Sequence, residues 1–151
     1  MSGLFNVVKR LWQQGNAILD RCSVLFLLAT RLYIATVFLK SGLTKIDDFS
    51  TTVALFENEY KVPVLSPMLA AVAGTAAELV LPTLLALGLA SRPTAVALSV
   101  FNMIACLSYP DIMPAGIVEH MMWGYMILVI LFHGPGWISL DHWIQKKYFP
   151  R

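Results

Sequence analysis

Polar residues divide this chain into four apolar runs, at roughly 24–44, 67–90, 93–109 and 117–133. An α-helix rises 1.5 Å per residue, so about 20 apolar residues cross a hydrocarbon layer of about 30 Å. The first two runs meet that length. The last two, about 17 residues each, stand at its lower limit, and nothing else in the chain would cover their apolar surface. Before the first run, Leu4, Val7, Val8, Leu11, Trp12 and Ile18 recur at helical spacing beside Lys9 and Arg10. The pattern predicts an amphipathic interfacial helix over about 3–20, not a signal peptide, because the apolar residues are discontinuous and no small-residue cleavage site follows. After the last run, Gly134-Pro135-Gly136 ends the helix, and Leu140, Trp143, Ile144 and Tyr148 form a second amphipathic stripe over about 139–149, with Ser139 as N-cap. The polar stretch 46–66 holds a short helix starting near Ser50.

These elements predict an all-α integral membrane protein: one domain over 1–151, an antiparallel four-transmembrane-helix bundle with short interfacial amphipathic helices at the N- and C-termini. Composition agrees, with 58% hydrophobic and 13% charged residues and a mean hydropathy of +0.69. Soluble domains average about 25% charged. A formal charge of +2 gives no reason to expect nucleic acid as a partner. The lipid bilayer is the partner this composition requires, and small residues such as Ala70, Gly74 and Ala77 on one side of the second run permit close helix packing or a homo-oligomer. Lys9, Arg10, Arg21, Arg92, Lys146, Lys147 and Arg151 fall on one side of the membrane, and only Lys45 and Lys61 on the other. Both termini are therefore expected in the cytoplasm, with the 46–66 loop outside.

Ionisable residues inside the runs are the candidate chemistry. Arg31 lies near the middle of the first run and Glu78 near the middle of the second. A mid-membrane Arg31–Glu78 pair is the cheapest explanation of both, with Asn102 completing a polar cluster. Pro82 removes the helical partner of the Glu78 carbonyl. Two readings of the cluster stand: a staple between helices, or a pocket for a head group, a quinone ring or a proton. Lys45 shares the face of Arg31, and either snorkels to the outer interface or borders a cavity with Glu119 and His120. His120 and His133 are 13 residues apart on one helix and cannot ligate one iron, so haem is not expected. Met113, His120, Met121 and Met122 offer thioether and imidazole ligands suited to Cu(I), a weaker metal reading. Cys22 and Cys106 form no CxxC, and no phosphate-loop, dinucleotide, HExxH or GxSxG motif occurs.

Arg31 early in the first run, followed by FLKSGLTKIDDF, AAELVLPTLLALGLASRPTAVAL and HGPGWISLD, resembles the DoxX family over roughly residues 24–142. The motif positions that match are Arg31, Gly42 and Lys45, then Glu78 and Gly88, and last Gly134, Gly136, Ser139 and Asp141. The resemblance implies a small four-helix protein of the bacterial inner membrane with cytoplasmic termini. It also implies a redox setting, since the founding association of the family is a subunit of a thiosulfate:quinone oxidoreductase. Other members resemble partners of soluble redox enzymes or accompany the biosynthesis of copper-binding peptides. Three functions are thus expected to compete: a redox subunit with a quinone or small-molecule pocket around Arg31 and Glu78, a non-enzymatic scaffold recruiting soluble enzymes, and an accessory to copper handling.

Overall fold

In the computed structural model the chain is described over residues 2–149, with side chains from Phe5 onward; the side chain of Leu4 and the whole of Arg151, used above in the apolar stripe and the charge count, lie outside that description. The described residues form six helices and no strand: α1 (Ser2–Asp47), α2 (Phe49–Asn58), α3 (Pro67–Leu87), α4 (Ser91–Leu107), α5 (Pro114–His133) and α6 (Leu140–Tyr148).

The interfacial helix expected over 3–20 and the span expected over 24–44 are one element. No proline occurs before Pro63, and Gly15 is the sole glycine between Gly3 and Gly42. One interior glycine costs a helix about 1 kcal/mol, which is less than ending it and orphaning eight backbone groups. At 46 residues α1 is about 69 Å long, roughly twice a hydrocarbon layer. Residues 5–23 stand exposed on every side, and packing against the other helices begins at Leu27. The helix stops at Asp48, whose carboxylate accepts from the hydroxyl and N–H of Thr51 and from Ser50, and so caps α2. Those bonds, the Thr51 hydroxyl first, hold the Asp48 carboxyl down at about 2, so the cap stays charged.

The remaining boundaries follow local chemistry. Ser66 caps α3 with Pro67 in its first turn, and Gly88 ends it in the left-handed conformation (φ 67°). Pro114 opens α5, and Gly134 (φ 79°) followed by Pro135 closes it. Ser139 accepts from the N–H of His142 to start α6.

The packed part of α1 lies against α3 and α5, and α4 sits between α3 and α5, so four helices close a ring. Ile34, Phe38, Leu85, Ala95, Leu98, Ile127 and Ile130 fill its centre. Phe38 meets Phe101 and Trp123 edge-to-face at 6.2 and 5.7 Å. α2 lies over one end of the ring, against α1 and α3, and the 134–149 segment closes the other. Three of the helices, α1, α3 and α5, are long and apolar enough to cross a membrane, while α4 is apolar but has 17 residues.

Candidate functional site

The register of α1 against α3 decides which charges meet. Gly42 presses on Glu78: a Cβ at residue 42 would stand 3.0 Å from the Glu78 Cβ and 3.1 Å from its carbonyl carbon. Eleven residues earlier on α1, Arg31 reaches Gly88, which lies ten residues beyond Glu78 on α3. Arg31 and Glu78 are therefore about 16 Å apart along the bundle, and the expected Arg31–Glu78 pair does not form. Assigning both to the middle of their apolar runs failed because the contact of Gly42 with Glu78 offsets the two runs, so equal positions in the runs are not equal levels in the bundle.

Arg31 is instead buried at the α6 end, 1% exposed. Its Nη1 donates to the carbonyl of Pro135 and its Nη2 to that of Ile138, each at 2.7 Å. The same loop is tied to the α3–α4 turn by Asp141. Its carboxylate accepts from the N–H groups of Ala90 and Ser91, both at 2.7 Å, and its own N–H donates to the Gly88 carbonyl at 2.9 Å. Ala90 holds a left-handed conformation (φ 47°) that a non-glycine residue adopts only under such constraint. Gly88 must lack a side chain, because a Cβ there would collide with the Arg31 guanidinium and with Ser139. Arg31, Gly88, Ser139 and Asp141 are thus one fastening of α1, the α3–α4 turn and the C-terminal segment.

Glu78 has a different cation. Lys45 Nζ lies 2.7 and 2.6 Å from its two carboxylate oxygens and also donates to Ser41 Oγ at 2.9 Å, while Ser41 donates to Glu78 Oε1 at 3.2 Å. The Glu78 side chain is 8% exposed and that of Lys45 16%. Lys45 does not snorkel away: it borders a cavity with His120, as the second reading expected, while Glu119 is not in that wall, and all three Lys45 protons are engaged.

This closed ion pair forms part of the wall of a cavity of about 520 Å³ at the α2 end of the ring. Aromatic and small residues make up much of the rest: Phe38, Phe101 and Trp123 from the bundle, Phe56, Tyr60 and Tyr109 from the cap, and Ala70, Ala73, Gly74 and Ala77 from α3. The cap is itself a stack, with Tyr60 4.8 Å from Phe56 and 5.2 Å from Tyr109. Burial, with the nearby Glu78 charge adding to it, pushes the Tyr60 hydroxyl up, so it remains protonated. The Lys61 N–H bonds the Ser108 carbonyl at 2.7 Å and holds the loop down.

His120 also borders the cavity, and Asn102 positions it. Asn102 Nδ2 donates to the His120 carbonyl at 2.9 Å, and Asn102 Oδ1 lies 2.8 Å from His120 Nδ1. Asn102 therefore joins His120, not Arg31 and Glu78. The wider His/Met set is not gathered. Met113, Met121 and Met122 are each more than half exposed, and Met122 lies about 200° around α5 from His120. Among the described residues no three His, Cys, Asp or Glu side chains are placed to share a metal ion. His133 is exposed at the opposite end of α5, bonded to its own helix at Val129.

Sequence reasoning missed the aromatic cap of Tyr60, Tyr109 and Phe56 and the Lys45–Glu78 partnership. Gly42, one turn before Lys45 on the same face, was the available signal, since a glycine there marks where α1 and α3 touch.

Among known proteins, the DoxX family model matches residues 26–110, a stretch that contains Arg31, the Lys45–Glu78 pair and Asn102. No curated protein and no solved structure matches the chain.

Proposed function

The chain belongs to the DoxX family, and from that premise we propose that it is the membrane subunit of a redox system that holds a quinone-type ring in the cavity at the α2 end. The observation that carries the reading is the cavity itself: about 520 Å³ lined largely by aromatic and small side chains, with a few polar groups on its wall. Ligand sites commonly have that size and make-up. Flat rings suit the edge-to-face walls of Phe38, Phe101 and Trp123, and His120, Tyr60 and Tyr109 supply polar contacts for oxygen on a ring's rim. A bound quinone supplies two-electron, two-proton chemistry. The residues of this chain bind and orient the ring and handle protons at its oxygens, and a partner enzyme supplies or removes the electrons.

In this reading all four of α1, α3, α4 and α5 span the bacterial inner membrane. The short α4 is flanked by α3 and α5 and spans about 26 Å. The excess of basic residues at the α6 end supports cytoplasmic termini, with the cavity toward the outer face. Solvent extraction of protein purified in native lipid tests the proposal. Quinone in a near-stoichiometric amount with the protein supports it, and quinone no higher than in the surrounding lipid counts against it.

A further inference from the structure

Of the polar groups on the cavity wall, His120 is the one whose hydrogen-bonding role its neighbours fix. Lys45 spends its three protons on Ser41 and Glu78, so it has no donor to offer a ligand. Ser41 spends its proton on Glu78. His120 is fixed by Asn102. The Asn102 amide nitrogen must face the His120 carbonyl, which can only accept, and this turns the amide oxygen toward His120 Nδ1. An amide oxygen cannot donate, so Nδ1 must carry the proton, and in the neutral ring Nε2 bears a lone pair.

That lone pair has no partner among the described residues and is not among the sealed unpaired atoms of the interior. Asn102 borders the groove between α4 and α5 but not the cavity, whereas His120 borders both. The ring edge opposite Nδ1, which contains Nε2, is the edge that Asn102 leaves free on a residue that borders the cavity. Tyr60 and Tyr109 hydroxyls can donate or accept and do not discriminate between ligands.

We infer that the cavity selects the reduced, hydroxyl-bearing form of its ring ligand, with His120 Nε2 accepting the ligand O–H and Asn102 acting as the positioning residue that keeps Nε2 unprotonated. This rests on the cavity being a ring-binding site and adds which redox form it favours. A carbonyl oxygen placed against Nε2 would set two acceptors face to face, with neither satisfied, and such a mismatch is discriminated strongly.

The test uses the full chain in lipid nanodiscs at pH 8, where an ordinary imidazole is neutral. A short-chain benzoquinol, kept anaerobic, and the matching benzoquinone are titrated separately. The quinol should bind at least about tenfold more tightly than the quinone, and His120→Phe should bring that ratio to near one by weakening quinol binding. Nitrogen NMR of labelled histidine should show the Nδ1–H form at His120, and Asn102→Leu should shift it toward Nε2–H in a chain that still folds. That tautomer shift would not follow if Asn102 only stabilised packing. Equal binding of the two forms, tighter quinone binding, or a preference that survives His120→Phe overturns this inference and leaves the ring-binding reading intact. Binding of neither form overturns both.

Discussion

Lys45 and Glu78 show what one methylene chain and one carboxylate can decide. A buried pair adds little net stability over an apolar replacement, but removing one partner leaves an uncompensated charge. Lys45→Met should therefore lower stability by about 3 kcal/mol, whereas Lys45→Met with Glu78→Leu should recover most of the loss, as read by unfolding in detergent. Arg31 gives the opposite expectation for charge exchange. It bonds two backbone carbonyls, not Glu78, so the double exchange R31E with E78R should be worse than either single change, because it adds two separate faults: a carboxylate against the carbonyls of Pro135 and Ile138, and an arginine against Lys45. A melting-temperature series across the three variants checks this; rescue in the double variant would mean that the two side chains do meet. That both Arg31 and Glu78 are buried was legible in the sequence, since ionisable residues in apolar runs face the interior. Their partners were not, because choosing a partner requires the vertical register of two helices, and hydropathy fixes that only to within several residues.

Between α1 and α3 that register is set by backbone contact. Gly42 lets the helices touch at Glu78, and the site depends on the touch: Gly42→Leu must drive α1 and α3 apart at the level of the ion pair. The variant should lose stability by about 2 kcal/mol, in the range of overpacking, and the Lys45–Glu78 hydrogen bonds should open, visible as a change in the carboxylate infrared band. Unchanged stability and an unchanged band would place the contact elsewhere. The apolar runs and their flanking prolines and glycines disclosed α3, α4, α5 and α6 to within a few residues, because caps and breakers act locally. The length of α1 was not disclosed. A change from amphipathic to uniformly apolar suggests two elements, but a helix ends only where a breaker or a competing cap makes ending cheaper, and the first such point is Asp48.

For the whole molecule, the four helices close a ring that is filled with side chains at its middle and left open as a cavity at the α2 end. The division of labour follows from that shape. The α6 end is fastened by Arg31 and Asp141, and the α2 end holds the space, the ion pair and His120. Ala70, Gly74 and Ala77 were legible as a small-residue face, but their convergence with the aromatic residues was not, because Tyr60 and Tyr109 come from loops far apart in the chain and meet only when the ring closes. The central claim is that this cavity is a ring-binding site. Titration of a short-chain quinone–quinol pair into the full chain and into Ala105→Trp, which fills the space, tests it most directly. Saturable one-to-one binding to the unaltered chain, weakened at least about tenfold in a variant with the same melting temperature, is the predicted result. No saturable binding, or equal binding in both, would contradict it.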